Sequence, residues 1–134
     1  MGASECFVEV DYNSLSKKGE ELCGDKVEIF QSESRTIIVL ADGLGSGVKA
    51  NILATLTSKI AITMIRKGAN IEEVIETIAH TLPVCKVRKI AYSTFSIIEI
   101  DENMNCKIFE SENPPFFFLR KGKIIKPAQN EVLI

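Results

Sequence analysis

Between Thr36 and Met64 the hydrophobic pattern changes period once, and this change constrains the fold more than any other feature of the chain. The run TIIVL at 36–40 is apolar nearly throughout, as expected of a strand buried on both faces. From Ser46 or Gly47 onward the period becomes helical. Val48, Ile52, Leu56, Ile60 and Met64 recur every fourth residue and draw one apolar stripe along a helix. The joint between the two patterns is ADGLGSG at 41–47, an aspartate at the strand end followed by three spaced glycines. A strand that feeds a helix directly calls for helices layered on a sheet.

The flanking pattern extends this layout. Residues 5–12 alternate apolar and polar, the mark of a half-buried strand, and a polar stretch follows at 13–24. Residues 26–30 form a second strand pattern, joined to 36–40 by the turn-like interval 31–35. Gly68, just after Arg66 and Lys67, closes the first helix. Asn70 with Glu73 then makes an approximate capping box. Ile71, Val74, Ile75, Ile78, Ala79 and Leu82 follow at helical spacing until Pro83 stops the run. So short a link folds the helices back as an antiparallel hairpin, with His80 on the polar side. Strand patterns return at 92–100, 106–110, 116–120 and 124–125, and their short connections imply antiparallel pairing. The expectation is an α+β fold.

A length of 134 residues suits one domain, 1–134, and 46% apolar with 25% charged residues excludes a disordered or fibrous chain. A net charge of −2 without a basic block gives nucleic acid no electrostatic footprint. The densest apolar run, FFFL at 116–119, is too short for a bilayer, so no membrane partner is expected. The start MGASEC carries neither a signal peptide pattern nor the Ser or Thr of a myristoylation signal, and a cytoplasmic setting is expected. Cys6, Cys23, Cys85 and Cys106 lack the clustering of a zinc site and are expected as reduced, mostly buried thiols. The segment NEVLI at 130–134 looks like the opening of a further strand, so a fragment of a longer protein is expected.

The chemistry concentrates on two aspartates. A turn centred between Glu33 and Ser34 makes Asp25 the cross-strand partner of Asp42, whether that turn has two residues or four. Their α-carbons then lie ~5 Å apart at the open end of the hairpin. Facing carboxylates repel, and a divalent cation between them reverses that penalty. With only oxygen donors on offer the ion is a hard one, Mg²⁺ or Mn²⁺. The glycines are then expected to let the chain turn around the ion. Other readings of Gly43, Gly45 and Gly47 stay open. A dinucleotide fingerprint would need glycine at Val48, and a phosphate-binding loop starting at Gly43 would need Gly-Lys where Val48-Lys49 stands. A plain turn with a helix start needs no ligand at all. Ser46 is better placed as a helix N-cap than as a nucleophile, and Lys49 near it is expected to be solvated.

The stretch ADGLGSGVKA at 41–50, preceded by an apolar strand and by Gly24-Asp25, resembles the metal-binding core of bacterial metal-dependent Ser/Thr protein phosphatases. Within these type 2C (PPM) relatives it looks like the branch of the stage II sporulation protein E phosphatases. The resemblance continues through the helix pair, YSTFSIIEI at 92–100 and NPPFFFLRKG at 113–122. It implies an antiparallel β-sandwich flanked by helices, incomplete here, with one antiparallel helix hairpin. It also implies a site for two Mn²⁺ or Mg²⁺ ions, with Asp42 bridging both, Asp25 holding one and the Gly43 carbonyl completing the set. A water made acidic by the two cations would attack phosphorus, so no catalytic histidine is needed.

This sequence departs from the family pattern in one respect: no Thr- or Ser-Asp-Gly motif stands after Asp101. The expectation is therefore half of a metal site, weakly active or inactive alone. Three function classes follow. The first is hydrolysis of phosphoserine or phosphothreonine on a phosphorylated regulatory protein, with self-association through an exposed sheet edge. The second is a non-catalytic binding or regulatory module of the same fold. The third is an anion or nucleotide binder using the Gly43–Gly47 loop at the helix N-terminus.

Overall fold

Strand β1 (Asp25–Gln31) reverses through Glu33 and Ser34 into the antiparallel strand β2 (Arg35–Gly43). The turn is closed by the Ser32 N–H donating to the Arg35 carbonyl at 2.9 Å. The Ser32 hydroxyl oxygen accepts the N–H groups of Ser34 and Arg35, so one side chain organises the whole reversal. The computed structural model describes residues 7–15, 24–43, 47–81, 84–85, 90–91, 93–111 and 116–126. Helix α1 (Gly47–Arg66) follows β2 and ends in a left-handed Gly68, φ +96°. There the Ala69 N–H reaches the Met64 carbonyl and the Gly68 N–H the Ile65 carbonyl, a Schellman closure. Helix α2 (Ile71–Thr81) starts at once, with the Asn70 carboxamide oxygen accepting the Glu73 N–H at 2.9 Å.

A short ladder of β3 (Val84–Cys85) with β4 (Ile90–Ala91), absent from the sequence expectation, comes next. Strand β5 (Ser93–Asp101) then pairs antiparallel with β2 on the side away from β1, and β6 (Cys106–Ser111) pairs with β5. The result is a four-stranded sheet in the order β1-β2-β5-β6. Strands β7 (Phe118–Arg120) and β8 (Lys123–Ile125) form a separate hairpin.

Both helices lie on one face of the sheet. Ile37, Val39 and Ala41 of β2 and Phe95 and Ile97 of β5 meet Leu53, Ala54, Ala61, Ile62 and Ile65 of α1, with Val74, Ile75 and Ile78 of α2 beside them. Each fully buried isoleucine or valine there contributes roughly 1.5–3 kcal/mol. Phe95 stacks on Phe109 at 5.9 Å and carries this core onto β6.

Two expectations are corrected by this packing. Beyond Thr36, strand β2 is buried on one face only, since Ile38 is half-buried and Leu40 is 39% exposed on the other. The stripe Val48, Ile52, Leu56 does not face the core either; those three are 62%, 50% and 44% exposed. The buried face of α1 runs through Ala50, Leu53, Ala54, Thr57, Ser58, Ala61, Ile62 and Ile65 instead. Small residues, Ala50, Ala54, Thr57, Ser58 and Ala61, make up much of that face and permit a close approach to the sheet.

Polar contacts fix the end of the sheet nearest the hairpin turn. The Arg35 guanidinium donates to the carbonyls of Ile65 (2.7 Å) and Arg66 (3.1 Å) in the last turn of α1, and pairs with Glu99 at 3.4 Å. Arg66 lies over the Phe30 ring, and Lys59 pairs with Glu28. The strand expected at residues 5–12 is not formed over the described residues 7–15, which have no ladder partner; the Gln31 carboxamide donates to the Val8 carbonyl there. Alternation marks an amphipathic segment, but it cannot supply the neighbouring strand. Cys106 is an exposed free thiol rather than a buried one. By length and composition α1 could cross a membrane, contrary to the expectation that no run is long enough; its buried face packs on the sheet.

Candidate metal centre

The register set at the Ser32–Arg35 turn carries without interruption to the far end of the hairpin, where Asp25 stands opposite Asp42 as the sequence predicted. The Ser32 N–H bonds the Arg35 carbonyl at one end and the Gly43 N–H bonds the Gly24 carbonyl, at 2.8 Å, at the other. Hydrogen-bonded pairs therefore fall on even-numbered β1 positions. Asp25 and Asp42 form a non-hydrogen-bonded pair, the kind with the closer α-carbons, ~4.5 Å. Both side chains are exposed and lie on the face of the sheet away from the helices. Along β2 that face reads Thr36, Ile38, Leu40, Asp42, so two apolar positions separate the acids from the turn end.

Gly43 has a steric task. It is buried, and a Cβ built on it would stand 1.9 Å from the Ala50 carbonyl oxygen. Only glycine lets the end of β2 pass so close to the first turn of α1. Gly24 is tight against the same residue, its built Cβ being 3.2 Å from that of Ala50. These two glycines thus hold the acid-bearing strand ends against the helix. Leu44, Gly45 and Ser46 lie outside the described residues, and with them the Ser46 cap and the centre of the proposed anion loop.

Two residues next to this pair escaped the sequence reading. Thr94 is paired with Asp42, and Ser93 with Gly43, from the neighbouring strand β5. Ser93 is 2% exposed, and its hydroxyl donates to the Asp42 carbonyl at 3.1 Å. The available signal was the Ser-Thr pair opening a strand that is otherwise mainly apolar. Lys49 is exposed, as expected. Among the described residues no three His, Cys, Asp or Glu side chains come together. The donor set is two carboxylates with hydroxyl and carbonyl oxygens beside them, which suits a hard divalent cation and not zinc or copper.

The family model for stage II sporulation protein E (SpoIIE) matches residues 32–134. The chain belongs to the SpoIIE family. That match takes in Asp42 and Gly43 and begins after Asp25. Solved structures share the fold. The PP2C phosphatase domain with a fragment of the regulatory domain of the cell fate determinant SpoIIE from Bacillus subtilis aligns at TM-score 0.71 and 24% identity. It covers 82% of this chain and 33% of that one. The phosphatase domain of the same protein, in a crystal form without domain swapping, aligns at TM-score 0.55 and 23% identity, covering 89% and 51%. RsbX in complex with magnesium aligns at TM-score 0.56 and 25% identity, covering 72% and 49%. This SpoIIE-family chain therefore spans a third to a half of these structures. Comparison with curated protein sequences gives no significant match.

Proposed function

We propose that this chain supplies the Asp25–Asp42 half of a metal-dependent phosphoserine/phosphothreonine phosphatase site. The observation that carries the reading is the cross-strand pairing of the two carboxylates at the open end of the β1–β2 hairpin. In this reading Asp42, Asp25 and the Gly43 carbonyl would be the donors that this strand end offers to Mn²⁺ or Mg²⁺. Bound there, the ions supply an acidified water and a counter-charge for the phosphoryl oxygens. The chain's own part is positional. The β1–β2 ladder fixes the separation of the carboxylates, Gly43 and Gly24 seat them against Ala50, and the Ser93 hydroxyl holds the Asp42 backbone. The substrate class is a phosphorylated regulatory protein, encountered in the cytoplasm. The edge strands β1 and β6 are the proposed route to self-association.

Hydrolysis of p-nitrophenyl phosphate with and without Mn²⁺ tests the reading. Metal-dependent release of nitrophenol that is lost in Asp42→Asn is the expected result; release unaffected by that substitution overturns it. A non-catalytic module of the same fold is the second reading, favoured by the lack of a third acidic ligand among the described residues. Metal binding without turnover, even when the chain is extended to carry the family's later acidic motif, is its expected signature.

A further inference from the structure

We propose that Thr94 is a positioning residue for Asp42, its hydroxyl holding the carboxylate in the orientation that receives a cation. The inference rests on the metal reading above and adds to it a group from a third strand. Because Asp42 forms a non-hydrogen-bonded pair with Asp25, strand alternation turns its N–H and C=O toward β5. Asp42 and Thr94 are thus a hydrogen-bonded pair, with both side chains on the face away from the helices. Asp25, Asp42 and Thr94 make one row across three adjacent strands. Directly opposed residues have Cβ atoms ~5 Å apart, within reach of a hydroxyl donating to a carboxylate.

Strand β5 grips the same residue from its other face, where the buried Ser93 hydroxyl donates to the Asp42 carbonyl. Consecutive residues of β5 therefore address Asp42 from both sides of the sheet. The rest of β5 is built from Phe95, Ile97, Ile98 and Ile100, with Ser96 buried and Glu99 paired to Arg35. Of the three hydroxyl residues of β5, Thr94 is the one that stands directly opposite Asp42. The division of labour is chemical. Thr94 approaches the carboxylate from the β5 side with a donor, which leaves the Asp25 side for a cation. An uncharged donor there steadies the anion without competing for the site, as a lysine would.

The test is Mn²⁺ titration of the 134-residue chain, followed by the electron paramagnetic resonance signal of free Mn²⁺, with circular dichroism of each variant as the check on folding. Thr94→Val should weaken Mn²⁺ binding about tenfold or more, the usual cost of losing a group that orients a ligand. Thr94→Ser restores the hydroxyl and should bind close to wild type, a rescue that a role in packing alone would not give. Should Thr94→Val fail to fold, Thr94→Ala against Thr94→Ser gives the same comparison. Asp42→Asn separates the two levels of the argument. Binding lost in Asp42→Asn but intact in Thr94→Val overturns the role of Thr94 and keeps the metal reading. Binding unchanged in Asp42→Asn, or absent from the wild type, overturns both.

Discussion

The two ends of the β1–β2–β5 sheet are built on opposite principles. At the turn end two charges are tied into the fold: Arg35 reaches the last carbonyls of α1 and Glu99, and Asp101 opposite it is held within its own turn. At the other end two carboxylates face each other, and the backbone beneath them is packed so closely that Gly43 tolerates no side chain. One end is tied together by contacts among its own residues, while the other sets two carboxylates opposite each other on a closely packed backbone. In the proposed reading, the second end is where a cation would be held.

Substitutions at the two ends should therefore behave differently, and the largest effect is steric. Gly43→Ala drives a methyl into the Ala50 carbonyl and should cost roughly 3 kcal/mol, read as a lower urea midpoint. A midpoint unchanged from wild type would mean that α1 does not sit against the strand end. Arg35→Met at the turn end comes next, with an expected loss of about 1 kcal/mol, because its bonds to Ile65 and Arg66 are partly exposed. Asp25→Asn should go the other way. Without metal it relieves like-charge opposition and leaves stability equal or higher by up to about 1 kcal/mol, while cancelling any rise in Tm that Mg²⁺ gives the wild type. A clear loss of metal-free stability would show that Asp25 serves the fold and not an ion.

The smallest effect concerns Asp101. The Asn105 backbone N–H, helped by that of Asn103 and by the Asn105 side chain, holds its carboxyl below the ordinary range. A depressed folded pKa means that stability is present above the unfolded value, about 3.9, and is lost as pH falls through the folded one. Asp101→Asn should thus lower the Tm slightly at neutral pH, with the gap closing in acid; a gap that widens in acid would reverse the assignment.

The hairpin was legible in the sequence because it is local. Ser32 and a two-residue turn fix the register, and the register places Asp25 on Asp42. Thr94 was not legible, because its pairing with Asp42 spans the whole helix hairpin and no short-range pattern encodes it. The α1 stripe misled for another reason. Periodicity reports where large apolar residues recur, whereas the helix face at this sheet is chosen by how close Ala50 must come to Gly43. The resemblance to the SpoIIE-type phosphatases supplied the fold class that pattern reading gave only as α+β.

The tight turn between β1 and β2 also bears on the order of events during folding. A contact closed by a two-residue reversal has little loop entropy to overcome, whereas β5 must wait for two helices to form and dock. Asp42 should accordingly meet Asp25 before it meets Thr94. Pulse-labelled hydrogen exchange showing β5 amides protected ahead of those in β1 would invert that sequence.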